Sequence, residues 1–267
     1  MNKTRIAALM FAAVALTGCG GGTKLVKRPS PLPASVQPLA QAEDAALSAR
    51  LDSVVVRNGP GAWAKNADWD EYLLHVHNVG TVPLRIDAVT VIDSQAHEQR
   101  TLDDRSALVA ASRQATRRYR DAGLKLEAGR GGGSLVAAGV GAGVVAYGAA
   151  TAAATSAALG AGGAAGGGAA AAAGGLVLAA PVLVGMGIVR AVNNSKVDNR
   201  IAERATRFPL SVAPGAQAPL DVFFPLSPSP RQVVVHYHDG SGVQRLAIDT
   251  TQVLHGLHMK PADAPRN

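Results

Sequence analysis

Two stretches of the chain alternate apolar and polar positions with a period near two, and the long stretch between them does not. In the first, residues 51–102, Val54-Val55-Val56 opens a strand, residues 72–77 alternate, and Pro83 starts an alternating run over 84–93. Asn78-Val79-Gly80, between the last two runs, is a turn signal. The second stretch, residues 207–258, carries strand candidates at 208–212, 220–224, 233–237 and 243–248. They are separated by Pro214-Gly215, the proline-rich 225–230 and Asp239-Gly240-Ser241-Gly242, the last a hairpin turn. About seven short strands in roughly 105 residues have the size and spacing of an immunoglobulin-like sandwich. Neither half is expected to close a core alone. The expected fold is therefore mainly β: one sandwich made from 51–102 plus 207–258, interrupted by a long α-helical insertion at 103–206.

Within the insertion the period changes to that of a helix. Asp103 or Asp104 can cap a helix whose apolar stripe is Leu108, Ala111, Ala115, Tyr119 and Ala122, with Arg113, Arg117 and Arg120 on another face and Arg118 beside them. Residues 131–189 then contain no charged residue, and Gly plus Ala fill 38 of those 59 positions. Alanine is the best helix former and glycine among the worst, so the clustered glycines at 160–168 suggest helices at 134–159 and 169–192 around a loose turn. Each is long enough, at 1.5 Å per residue, to cross roughly 30 Å of hydrocarbon. Small residues recur every fourth position, including the pair Gly139 and Gly143, a spacing that lets helix backbones approach closely. Here the segment resembles the glycine-zipper regions of some bacterial envelope proteins. Three readings stay open for it: a membrane or oligomer hairpin, a soluble packed hairpin, and a disordered linker. Alanine and glycine add little insertion free energy, so the first half is a weak membrane segment. The second half, with Leu176-Val177-Leu178, is the more insertable, although Pro181 interrupts it. Arg190, Lys196, Arg200, Arg204 and Arg207 follow, available to lipid phosphates or to solvent.

The amino-terminal end has a different logic. Lys3 and Arg5 precede an apolar run over residues 6–16, too short to span a membrane, and Leu16-Thr17-Gly18-Cys19 follows. Cys19 is the only cysteine of the 267 residues. The stretch resembles the lipobox of bacterial lipoproteins at all four positions. The resemblance implies that residues 1–18 are a signal peptide removed before Cys19, and that Cys19 carries lipid, palmitate among its acyl chains. Two or more chains hold a protein durably where one holds only marginally. Gly20-Gly21-Gly22 lacks the Asp that retains enterobacterial lipoproteins at the inner membrane, so the resemblance favours the outer membrane and a periplasmic body. A single Cys also excludes an intramolecular disulfide. The prolines at 29, 31, 33 and 38 make residues 19–50 a lipidated, solvated tether expected to lift the body off the bilayer, with at most a short helix over 43–50. Residues 259–267 read as a C-terminal tail.

Charge then narrows the partners. Loss of residues 1–18 removes Lys3 and Arg5 and lowers the formal charge from +7 to +5. So basic a chain raises nucleic acid as a partner, but aromatics are only 4% of the residues and leave little for base stacking. No nucleic acid is expected, and anionic lipid head groups are the expected counter-charge.

A catalytic constellation is not legible. Gly141-Ala142-Gly143-Val144-Val145-Ala146 matches a dinucleotide fingerprint by letter, but no strand precedes it and the first acidic residue after it is Asp198. Gly240-Ser241-Gly242 is a turn, and no nucleophile elbow exists. No enzyme activity, cofactor or small-molecule substrate is expected. The pairs His75-x-His77 and His236-x-His238 each put two imidazoles on one face of a strand, opposite the apolar set. On adjacent strands they would gather four nitrogens for zinc or copper; polar-out alternation explains them equally, and no metal is assigned.

Two function classes follow. One is a membrane-anchored envelope lipoprotein acting as a structural or protein-binding module, with an envelope protein partner or self-association through the hairpin. The other is a membrane-active protein whose hairpin inserts and forms a pore.

Overall fold

The computed structural model describes residues 22–32, 37–132 and 183–260. The expected signal peptide, Cys19, Gly139, Gly143 and nearly all of the expected Gly/Ala hairpin lie outside them. The described elements are β1 (Lys24–Leu25), β2 (Ala40–Glu43), β3 (Leu47–Val55), β4 (Ala64–Lys65), β5 (Trp69–Asn78), β6 (Leu84–Ile92) and β7 (Glu98–Arg100). Helices α1 (Arg105–Asp121) and α2 (Leu183–Arg204) follow, then β8 (Leu210–Val212), β9 (Gln217–Pro225), β10 (Gln232–His238) and β11 (Val243–Asp249). Among the described residues no helix is long and apolar enough to cross a membrane.

The protein is mainly β, and its strand pairing is antiparallel throughout the described sheets. One sheet runs β2-β3-β5-β9; the other runs β11-β10-β6, with β7 and β8 sharing the far edge of β6. A short β1–β4 pair stands apart. Each large sheet joins strands from both sides of the insertion, β5 to β9 in one and β6 to β10 in the other. The alternation read from sequence sets the inward faces. Tyr72, Leu74 and Val76 of β5, Ile86, Val89 and Val91 of β6, and Val233, Val235 and Tyr237 of β10 all enter one buried cluster, to which both sheets contribute. The β10–β11 hairpin closes at Asp239-Gly240-Ser241-Gly242. There the Asp239 carboxylate accepts from the Ser241 N–H and hydroxyl, and Gly240 takes φ +86°. Asn78, fully buried, closes the other predicted turn. Its Nδ2 donates to the carbonyls of Val82 and Val212, so it ties the β5–β6 turn to β8.

The tether expectation fails from Leu39 onward. Residues 40–43 and 47–55 are β2 and β3, and Leu47, Ala49 and Leu51 are core residues. Small alternating side chains (Ala40, Ala42, Ala49) weakened the apolar signal, and Asp44 supplies the turn by accepting from the N–H groups of Ala46 and Leu47. The amino-terminal segment is not free either, because β1 pairs with β4 five residues after Cys19. At the other end, Met259 bridges to Leu126, so the expected tail begins inside the fold.

The described helices lie on the outer face of the β2-β3-β5-β9 sheet. Asp104 caps α1 by accepting from the Ala107 N–H at 2.7 Å. The buried stripe is Leu108, Ser112, Ala115 and Tyr119, with Ser112 in the place expected of Ala111. Helix α2 continues to Arg204, twelve residues past the expected end at 192. Its Val197 and Ile201 join Trp63, Trp69, Leu108 and Phe223 in a second apolar cluster.

Candidate functional site

The four strand histidines do not converge. His75 and His77 stand on β5 in one sheet and His236 and His238 on β10 in the other. They are therefore not on adjacent strands, as a four-nitrogen site requires. Each of three has a carboxylate neighbour: His75 contacts Asp52 of β3, His238 lies 3.0 Å from Asp87 of β6, and His236 lies 3.5 Å from Glu98 of β7. The Thr90 hydroxyl donates to Glu98 at 2.7 Å and accepts from His236 Nε2 at 2.9 Å. Burial, and then the charge of Arg245, push the His236 pKa down. The Thr90 hydrogen bond holds Glu98 below the usual carboxylate value. Among the described residues no group of three or more His, Cys, Asp or Glu could hold a metal ion.

A more deeply buried histidine has no signature in the sequence. His258 and Asp70 of β5 are both fully buried, with Nε2 2.7 Å from the Asp70 carboxylate. The other ring nitrogen, Nδ1, accepts from the Gly129 N–H at 3.1 Å, so the Nε2 proton is the one donated to Asp70. The backbone is as constrained as the ring: His258 has φ +60° and Gly129 φ +82°. A base–orienter pair of this kind resembles part of a catalytic triad, but a general base needs a nitrogen within reach of a nucleophile. Both nitrogens here are engaged, one by main chain. The pair therefore locks residues 126–130 and the segment around His258 onto β5. Asp70 also raises the pKa of the Tyr72 hydroxyl, although burial is the larger cause.

The densest charged cluster sits where α2 meets the sheet. Glu71 of β5 is 2% exposed, and its carboxylate accepts from Trp63 Nε1 at 2.7 Å and from Arg204 at 2.5 Å. The same guanidinium reaches Asp221 of β9 at 3.2 Å. Chain reversal after α2 is fixed next to it: Thr206 N–H donates to the Asp221 carbonyl, and the Asp221 N–H donates to the Thr206 hydroxyl. One cation thus serves two carboxylates. Burial, then the Glu71 charge, push Asp221 up to about 8, against the opposing pull of Arg204. A cavity of about 460 Å³ opens beside it, with Thr101, Asp103, Arg207 and Phe208 in its wall. Chemically the cluster is a proton-holding latch between helix and sheet. Arg105 of α1 adds a second clamp, 2.7 Å from Asp198 of α2.

Of the residues marked from sequence, Cys19, Gly139 and Gly143 thus lie outside the described residues, and the histidines are dispersed. Glu71, Asp70 and His258 were missed. The available signal was an interruption of the alternation, since Asp70-Glu71 stand side by side between Trp69 and Tyr72 at the start of β5, and all four are buried. No protein-family model, curated protein or solved structure matches the chain.

Proposed function

We propose that the chain is a cell-envelope lipoprotein, anchored through lipid on Cys19, whose immunoglobulin-like sandwich is a protein-binding scaffold. The Gly/Ala-rich segment 131–189 is its self-association element. The observation that carries the scaffold reading is the bolting of both described helices to one sheet. Ile201 and Val197 pack under Trp63 and Phe223, Arg204 is shared by Glu71 and Asp221, and Arg105 pairs with Asp198. A segment leaving between two such helices is presented from a rigid body. The lone Cys after Leu16-Thr17-Gly18 supports the address, and the start of β1 at Lys24 supports a body held close to its anchor rather than lifted from it.

Fractionation of three chains tests this: wild type, Cys19→Ala behind a cleavable secretory signal, and a deletion of residues 133–182. Wild type and the deletion should stay with membranes through a high-salt wash and incorporate labelled palmitate, whereas Cys19→Ala should be unlabelled and released by that wash. Sedimentation velocity of the Cys19→Ala protein should show an oligomer that the added deletion reduces to a monomer. Salt-resistant membrane retention of Cys19→Ala that vanishes with the deletion would replace the scaffold reading with the membrane-active one.

A further inference from the structure

We propose that the face built from β1, β4 and the outer side of α2 docks on an anionic phospholipid surface. This rests on the reading of Cys19 as the lipid attachment, which sets the distance. Lys24 lies five residues beyond Cys19, a span of at most about 18 Å. That span keeps the β1–β4 pair within about 18 Å of the lipidated residue.

That face is basic beyond what its own packing explains. Lys24 and Lys65 are directly opposite each other in the β1–β4 register, and like charges facing across strands destabilise the pair. Lys27, Arg28 and Lys196 are exposed beside them, and none of these five cations has an ion pair among the described residues. Arg200, one turn beyond Lys196, has only Glu203 as counter-charge among the described residues. The amino-terminal segment runs along α2, leaving a groove of about 440 Å³ with Leu25, Val26 and Trp63 on its apolar side and Lys196, Arg200 and the Arg200-paired Glu203 on its charged side. Leu25 is 40% exposed, and Val192, one turn before Lys196 on the same side of the helix, is 49% exposed. Aliphatic side chains beside unpaired cations suit a surface of phosphates over hydrocarbon. The basic residues directed elsewhere support the choice of face: Arg204 is spent on Glu71 and Asp221, Arg105 on Asp198, and Arg118 lies 3.8 Å from Asp93. The exposed arginines of α1 form a separate basic face that serves as an internal control.

The probe is flotation of the Cys19→Ala protein with vesicles of phosphatidylcholine alone or with phosphatidylglycerol added. Binding should require phosphatidylglycerol and weaken as salt is raised. Each Lys or Arg near such a surface strengthens binding about fivefold, so Lys24→Gln/Lys65→Gln/Lys196→Gln should bind about 100-fold more weakly. Arg113→Gln/Arg117→Gln/Arg120→Gln, equal in charge, should bind like the parent. Equal loss in the two triple variants, equal binding to both vesicles, or salt-independent binding overturns the proposal, and so does a face that captures acidic protein but no vesicle. Near-ultraviolet circular dichroism checks folding; if the triple variant is unfolded, the single lysine variants and the salt titration decide. Palmitate labelling of wild type in cells separates the premises. An unlabelled chain refutes the Cys19 reading whatever the vesicles do, whereas a labelled chain whose triple variant still floats refutes the docking face.

Discussion

Replacing Asp221 by asparagine removes one titration from the helix–sheet latch while keeping its shape. In the folded protein Asp221 is pushed from the ordinary 3.8 up to about 8, because it is buried beside Glu71 with a single shared guanidinium. A carboxyl whose folded pKa is raised binds its proton more tightly when folded. Its stabilising contribution is therefore complete below the unfolded value near 4 and is lost as pH rises through the folded value near 8. The asparagine amide resembles the protonated carboxyl at every pH. The stability difference, Asp221→Asn minus wild type, should then grow with pH by up to about 1.4 kcal/mol per unit. Between pH 5.5 and 7.5 that amounts to roughly 2–3 kcal/mol in favour of the variant, or about 5–10 °C in the difference of thermal midpoints. Subtracting the two proteins cancels the carboxylates and histidines common to both. Urea unfolding followed by Trp63 and Trp69 fluorescence provides the assay, since both indoles lie in the cluster beneath α2. A difference that is flat across this range, or one that moves against the variant as pH rises, would refute the reasoning. Asp221 would then be ionised throughout and held by Arg204 as an ordinary ion pair.

Three further outcomes follow from buried geometry. His258→Ala leaves the Asp70 carboxylate buried without its donor and should cost about 3–5 kcal/mol; the double variant Asp70→Ala/His258→Ala should cost less than the sum of the singles in a denaturant-unfolding cycle. Ser112→Ala takes the acceptor from the Leu226 N–H, and a hydroxyl that sits against the Leu108 and Asp68 carbonyls, and should cost about 1–3 kcal/mol by thermal melt. Gly129→Ala would set a Cβ 2.1 Å from the Arg57 carbonyl at φ +82°. Backbone must move to admit it, so residues 126–132 should lose amide-exchange protection while β9 and β10 keep theirs.

The strands of the two sheets were legible where bulky apolar residues alternate, as in β5, β6, β10 and β11, and the hairpin after β10 was legible from its Asp and glycines. The cap of α1 was equally local, a carboxylate three residues ahead of the N–H that it accepts from. β2 and the first half of β3 were not, because small and polar side chains there weaken the apolar signal; only the Val54-Val55 end of β3 read as strand. Nor was the continuation of α2 past residue 192, since basic residues at 196, 200 and 204 read as a flank. In the fold they divide: Lys196 and Arg200 face out beside β1, and Arg204 turns in to the sheet.

The amino-acid order alone determined what depends on near neighbours: the period of each strand and helix, the turns, the cap, and the motif around Cys19. Tertiary structure alone decided which buried charges meet. Arg204 and Glu71 are 133 positions apart and His258 and Asp70 are 188 apart, so no spacing rule connects them. The strand pairing that brings them together also removes water, and that burial, absent from any local window, turns ordinary surface residue types into a helix latch and a lock on the segment around His258.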